Sequence, residues 1–163
     1  MRIFCLLLCI LLGSYTVSSA QINKISQLLA SNFLKELKKK EPIDTVQYLS
    51  LFDIKNDTLY LSYKIDEPSK SEYMMVVNKV ALQDIYRFDK DINVLFVCKD
   101  NSVITIETQY NAYTKKVIRE KITTSHLFFT GMHSPARNHQ FRDKVLKAFR
   151  KSKFPITSEF WYD

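Results

Sequence analysis

The chain has 163 residues, 24 Lys and Arg against 17 Asp and Glu for a formal net charge of +7, and 46% hydrophobic residues. This composition excludes the disordered and collagen-like classes and suffices for one domain with its own core. Gly13 and Gly131 are the only glycines, which excludes Walker-type loops, dinucleotide fingerprints and nucleophile elbows, since each needs glycine where backbone approaches a phosphate or turns sharply.

Residues 1–20 read as a secretory signal: Arg2 gives a positive start, Ile3 to Leu12 is an apolar run, and Ser18-Ser19-Ala20 supplies small residues for a signal peptidase. The run is shorter than the roughly 20 residues of a transmembrane helix, and nothing downstream replaces it. The expectation is cleavage after Ala20 and a secreted or periplasmic domain, residues 21–163, with no transmembrane segment. Cys5 and Cys9 leave with the signal, so Cys98 is then the sole cysteine and no intramolecular disulfide is available.

Ile22, Ile25, Leu29, Phe33 and Leu37 recur at helical spacing, with Lys24, Lys35, Lys38 and Lys39 mostly opposite, predicting an amphipathic helix over residues 22–40 that Pro42 stops. From Val46 the period becomes two. Val46 to Phe52 and Thr58 to Ile65 read as a hairpin across Lys55-Asn56-Asp57, and Tyr73 to Val77, extendable to Leu82, as a third strand. Asn56-Asp57-Thr58 also matches an N-glycosylation acceptor, although its first reading is a turn.

Asp84 to Asp91 looks polar and turn-like, followed by a hairpin of Ile92 to Lys99 and Val103 to Tyr110 joined by Asp100-Asn101-Ser102. Cys98 is expected to be buried with Ile92, Val94 and Phe96. A further strand is predicted at Lys116 to Thr124. Tyr48, Tyr60, Tyr63 and Tyr73 are candidates to line a concave sheet face able to hold an apolar or sugar ligand, with ordinary packing as the alternative.

Residues 125–140 form the least regular segment and hold all three histidines, His126, His133 and His139, which are candidate zinc or copper ligands although their spacing matches no metal signature. A closing helix to about Lys153 carries Phe141, Val145, Ala148 and Phe149 on one stripe, capped by Ser134-Pro135 or Asn138. Arg137 with Arg142, Lys147 and Arg150 is a candidate cationic surface for a phosphate, an acidic glycan or an anionic headgroup. The aromatic tail Phe160-Trp161-Tyr162 is expected to dock rather than fray.

These features predict an α+β fold: an N-terminal helix, an antiparallel β meander of five to seven strands, and a C-terminal helix packed on the sheet. No complete catalytic constellation is present and no cofactor is implied. The function expected is a noncatalytic exported binding or interaction module, with an anionic ligand or an envelope protein as partner and no nucleic acid. The alternative is a small metal-binding protein or metal-assisted hydrolase using the three histidines.

Overall fold

The computed structural model describes residues 2–39, 45–67, 69, 71–133 and 138–162, with side chains from Ala20 onward. Helix α1 (Arg2–Leu37) carries the predicted apolar stripe, with Ile25, Leu29 and Phe33 at most 1% exposed. Residues spaced by four lie one above another on a helix face, and this face packs against β1 (Val46–Lys55) and helix α2 (His139–Lys151). Among the described residues, no helix is long and apolar enough to cross a membrane.

β1 and β2 (Thr58–Glu67) form the expected hairpin. Asn56 and Asp57 both take positive φ, 50° and 55°, the backbone that a two-residue turn needs and that Asn and Asp tolerate best after glycine. β1 is irregular after Leu51, where Phe52 adopts φ 59° and lies fully buried, its ring edge-on to Phe33 at 5.7 Å. The chain continues through β3 (Glu72–Ala81), β4 (Ile85–Lys90), β5 (Val94–Cys98), β6 (Val103–Asn111), β7 (Val117–Ser125) and β8 (Leu127–Phe129).

Among the described residues these strands make two antiparallel sheets, of order β1-β2-β3-β6-β7 and β4-β5-β8. The α+β class, the two helices and the antiparallel pairing are as expected, with eight strands where the pattern predicted five to seven. The strands that the pattern missed are β4 and β8, the latter in the segment that reads as irregular, and one pairing also differs. The segment Asp84 to Asp91, which looks like a turn because of its charges, is β4, held in place by Ile85 and Phe88 in the core and by partners for Asp89 and Lys90. β5 and β6 are not a hairpin: β5 pairs with β4 and β8, while β6 returns to the first sheet between β3 and β7. Alternation reveals a strand but not its neighbour. Ile92 falls outside β5 and is 75% exposed.

Asn138 is the N-cap of α2, its side chain accepting from Phe141 N, and Phe141, Val145, Ala148 and Phe149 are buried as the stripe predicted. The C-terminal tail runs along the free side of β4: Phe88 N donates to Thr157 O at 2.9 Å, Lys90 N to Phe160 O at 2.9 Å, and Tyr162 N to Lys90 O at 3.1 Å. Trp161 is thereby laid on Phe88, ring centroids 5.3 Å apart. The tail acts as a short parallel strand that removes an open edge. In the large sheet, the edge strand β7 is exposed along its whole length and carries Arg119, Glu120 and Lys121 at its middle, charges that oppose pairing with another chain.

Cys98 is 1% exposed, and burial, reinforced by the nearby Asp84 charge, pushes its thiol up from 9.0 to about 12. The folded thiol therefore ionises only toward about 12 while the unfolded one ionises from about 9, so stability falls as pH rises through that window and is insensitive to Cys98 below it. At pH 8 Cys98 is expected to react with a disulfide reagent only as fast as the protein opens. Time-course labelling with and without urea checks this, and rapid stoichiometric labelling of the native protein would contradict it.

Candidate functional site

The three histidines are all exposed and lie at different places: His126 between β7 and β8, His133 beyond Gly131 with its amide donating to Glu36 Oε2 at 2.9 Å, and His139 in the first turn of α2. Among the described residues no three His, Cys, Asp or Glu side chains are grouped so as to hold a metal ion. Of the basic set, Arg137 lies outside the described residues. Arg142 pairs with Asp143 at 2.9 Å and lies over the Trp161 ring at 5.9 Å, so it is engaged in holding the tail. Lys147 and Arg150 point to solvent from α2. Among the described residues, Lys35 of α1, Lys39 just beyond it and Lys144 of α2 line a groove of about 300 Å³ that also contains Glu36.

A cleft of about 320 Å³ opens between α1, the inner face of the large sheet and β8. Its walls are built by register. Antiparallel partners point to the same face, so Leu61, Asn78 and Thr105 form one cross-strand row, and Tyr63, Val76 and Glu107 form the next. Tyr48 is paired with Tyr63 and joins this face. Tyr60 and Tyr73 fall on the opposite face, because each differs from Tyr63 or Val76 by an odd number of positions. Of the four candidate tyrosines, two therefore line the cleft.

Phe33, Leu61, Val103 and Phe128 supply its apolar lining, each at most 3% exposed. Thr130 and Gly131 also line it. Gly131 has φ 71°, and a Cβ there would stand 3.2 Å from Phe33 Cε2, so glycine serves both the left-handed turn and the close approach to the ring.

Three polar groups of this lining stand together. Thr105 Oγ1 donates to Asn78 Oδ1 at 2.7 Å, and the Asn78 side chain lies close enough to Tyr63 to act on its hydroxyl. Burial raises the Tyr63 hydroxyl above its ordinary value, the Asn78 hydrogen bond opposes the rise, and the Glu107 charge adds to it. Burial, then proximity to Tyr63, raises Tyr48 as well. Both phenols thus remain protonated well beyond neutral pH, so each keeps an O–H to donate.

Asn78 and Thr105 were not among the residues singled out from sequence, since polar residues on strands read as solvent-facing until register places them beside Leu61. No family model, curated protein or solved structure matches the chain. The function must be argued from this cleft.

Proposed function

We propose that this protein is an exported, noncatalytic binding module that takes a small, mostly apolar ligand into the cleft and fixes it with a hydrogen bond from Tyr63. The observation that carries the reading is the combination of apolar walls with a small uncharged polar cluster, Thr105, Asn78 and Tyr63, set among them. Ligand sites typically pair a mostly apolar concave lining with a few placed polar groups, and about 320 Å³ is at the small end of their size range. Among the described residues the lining contains no carboxylate, imidazole or thiol, so its hydroxyl groups have no such base within the cleft to activate them as nucleophiles. Export is supported by the charged start, apolar run and small residues of positions 1–20.

The test uses two uncharged fluorescent probes on residues 21–163, N-phenyl-1-naphthylamine and the ketone-bearing prodan. Both are expected to bind saturably. Ser125 is an exposed rim residue, so Ser125→Phe is expected to lower affinity for both by about tenfold or more by occupying the mouth, without unfolding the chain. Tyr63→Phe is expected to weaken prodan by about 3–10-fold, the range of one neutral hydrogen bond, and to leave the naphthylamine unchanged. Absence of saturable binding, or indifference to Ser125→Phe, would overturn the cleft as the site. Export is checked by mass spectrometry of the protein recovered outside the cytoplasm of its source cells, with an N-terminus at Gln21 as the expected result.

A further inference from the structure

The inner face does not end at the cleft. The Tyr63, Val76, Glu107 row continues onto β7 at Lys121, and the next row, Ile65, Met74 and Gln109, continues to Arg119. Met74, Glu107, Gln109, Arg119 and Lys121 together form a polar hollow of about 210 Å³ on this face. Tyr63 is close enough to Glu107 for that charge to act on its hydroxyl, so the two hollows are neighbours along one surface. Tyr63 and Lys121 are three strand spacings apart, roughly 14 Å, about the span of a medium alkyl chain.

The charges at the polar end are unequally committed. Glu107 faces Lys121 at 3.9 Å, the loose limit of an ion pair between two groups open to water. Gln109 donates to Glu72 Oε2, which occupies that carboxylate. Among the described residues Arg119 has no carboxylate partner at all. A planar guanidinium left free beside a half-engaged ammonium is suited to a carboxylate or similar oxyanion, which it binds with two parallel hydrogen bonds.

We infer that the ligand is an anionic amphiphile, with its apolar chain in the cleft and its acidic head on Arg119 and Lys121. This rests on the cleft being the binding site and adds the chemistry of the ligand's far end. The occupant follows from charge complementarity along a single face: apolar walls at the α1 end, and a free arginine at the β7 end.

The experiment is calorimetric titration of residues 21–163 with decanoate, below its micelle concentration, and with decanol, which has the same chain and no charge. Decanoate is expected to bind more tightly than decanol by about tenfold, and only its affinity should fall with added salt. Arg119→Gln is expected to abolish the difference, lowering decanoate affinity about tenfold while leaving decanol unchanged. Lys121→Gln should do so partially, because Glu107 already engages that lysine. Ser125→Phe should weaken both ligands. Equal affinities for the two, or an Arg119→Gln variant that affects them alike, overturns the assignment of the acidic head while leaving the cleft intact. If neither ligand binds and the uncharged probes also fail, the cleft itself is wrong and this inference falls with it. If the uncharged probes bind but neither decyl ligand does, only the amphiphile assignment is overturned.

Discussion

Replacing Phe88 by alanine is expected to destabilise the protein by about 3–5 kcal/mol, the range for removing a fully buried aromatic ring. Phe88 is 0% exposed and stands where four elements meet. Its ring lies 4.8 Å from Phe96 of β5, 5.7 Å from Phe141 of α2 and 5.3 Å from Trp161 of the tail. The ring thus joins the small sheet, the closing helix and the C-terminus, so the cavity left by alanine cannot be filled by one neighbour moving in. Against a total stability of typically 5–15 kcal/mol, such a loss leaves a marginal fold. Urea denaturation should show a lowered midpoint with an unchanged slope, and Phe88→Leu should recover more than half of the loss, since it keeps the apolar volume. A change below 1 kcal/mol in the alanine variant would show that the small sheet and α2 are held by other contacts.

The position of Phe88 explains why part of the fold was legible from sequence and part was not. Helix α1 and α2 announce themselves because their stripes, Ile25-Leu29-Phe33 and Phe141-Val145-Phe149, repeat at a spacing that only one backbone satisfies. The hairpin of β1 and β2 is equally local, set by Asn56-Asp57. β4 is not local. Its sequence, Ile-Tyr-Arg-Phe-Asp-Lys, mixes charges with apolar residues, and it becomes a strand because a tail some seventy residues later supplies hydrogen bonds to one side and β5 to the other. Charged residues are ordinarily a sign of surface; Asp89 and Lys90, both 4% exposed, are buried because distant backbone groups satisfy them.

The site divides in the same manner. Tyr48 and Tyr63 were visible as aromatics on strands, and the period of two places Tyr63 with Leu61. Which strands lie beside β2 decides the rest, and β6 reaches that position only by leaving β5 for the other sheet. Asn78, Thr105 and Arg119 acquire meaning through that pairing alone. The histidines stand out as unusual local composition, yet composition does not bring side chains together, and among the described residues they are not grouped to hold a metal ion.

Asp89 provides the sharpest test of how the tail is attached. Its Oδ1 accepts from Glu159 N at 2.9 Å and from Phe160 N at 3.3 Å, while Oδ2 faces Arg87 Nε at 2.9 Å, an ionic contact off the hydrogen-bonding angle. Arg87 in turn pairs with Glu159 and lies over the Phe160 ring at 5.4 Å. One buried carboxylate thus anchors two backbone amides of the tail and orients the arginine that clamps it from outside. Asp89→Ala is expected to lose about 2–4 kcal/mol, because both amides lose their acceptor and Arg87 keeps a half-buried charge with less compensation. Asp89→Asn retains an oxygen for the amides and removes only the charge, so it should lose about half as much. Trp161 is the sole tryptophan of the chain, and its emission reports the tail directly. In the alanine variant, emission is expected to shift to the red at a urea concentration below that at which circular dichroism records loss of the sheets, because the tail can leave β4 while β4 and β5 stay paired. Coincident transitions would show that the tail and the core unfold as one unit. Unchanged stability together with unchanged emission would mean that the Phe88–Trp161 contact, rather than Asp89, holds the C-terminus in place.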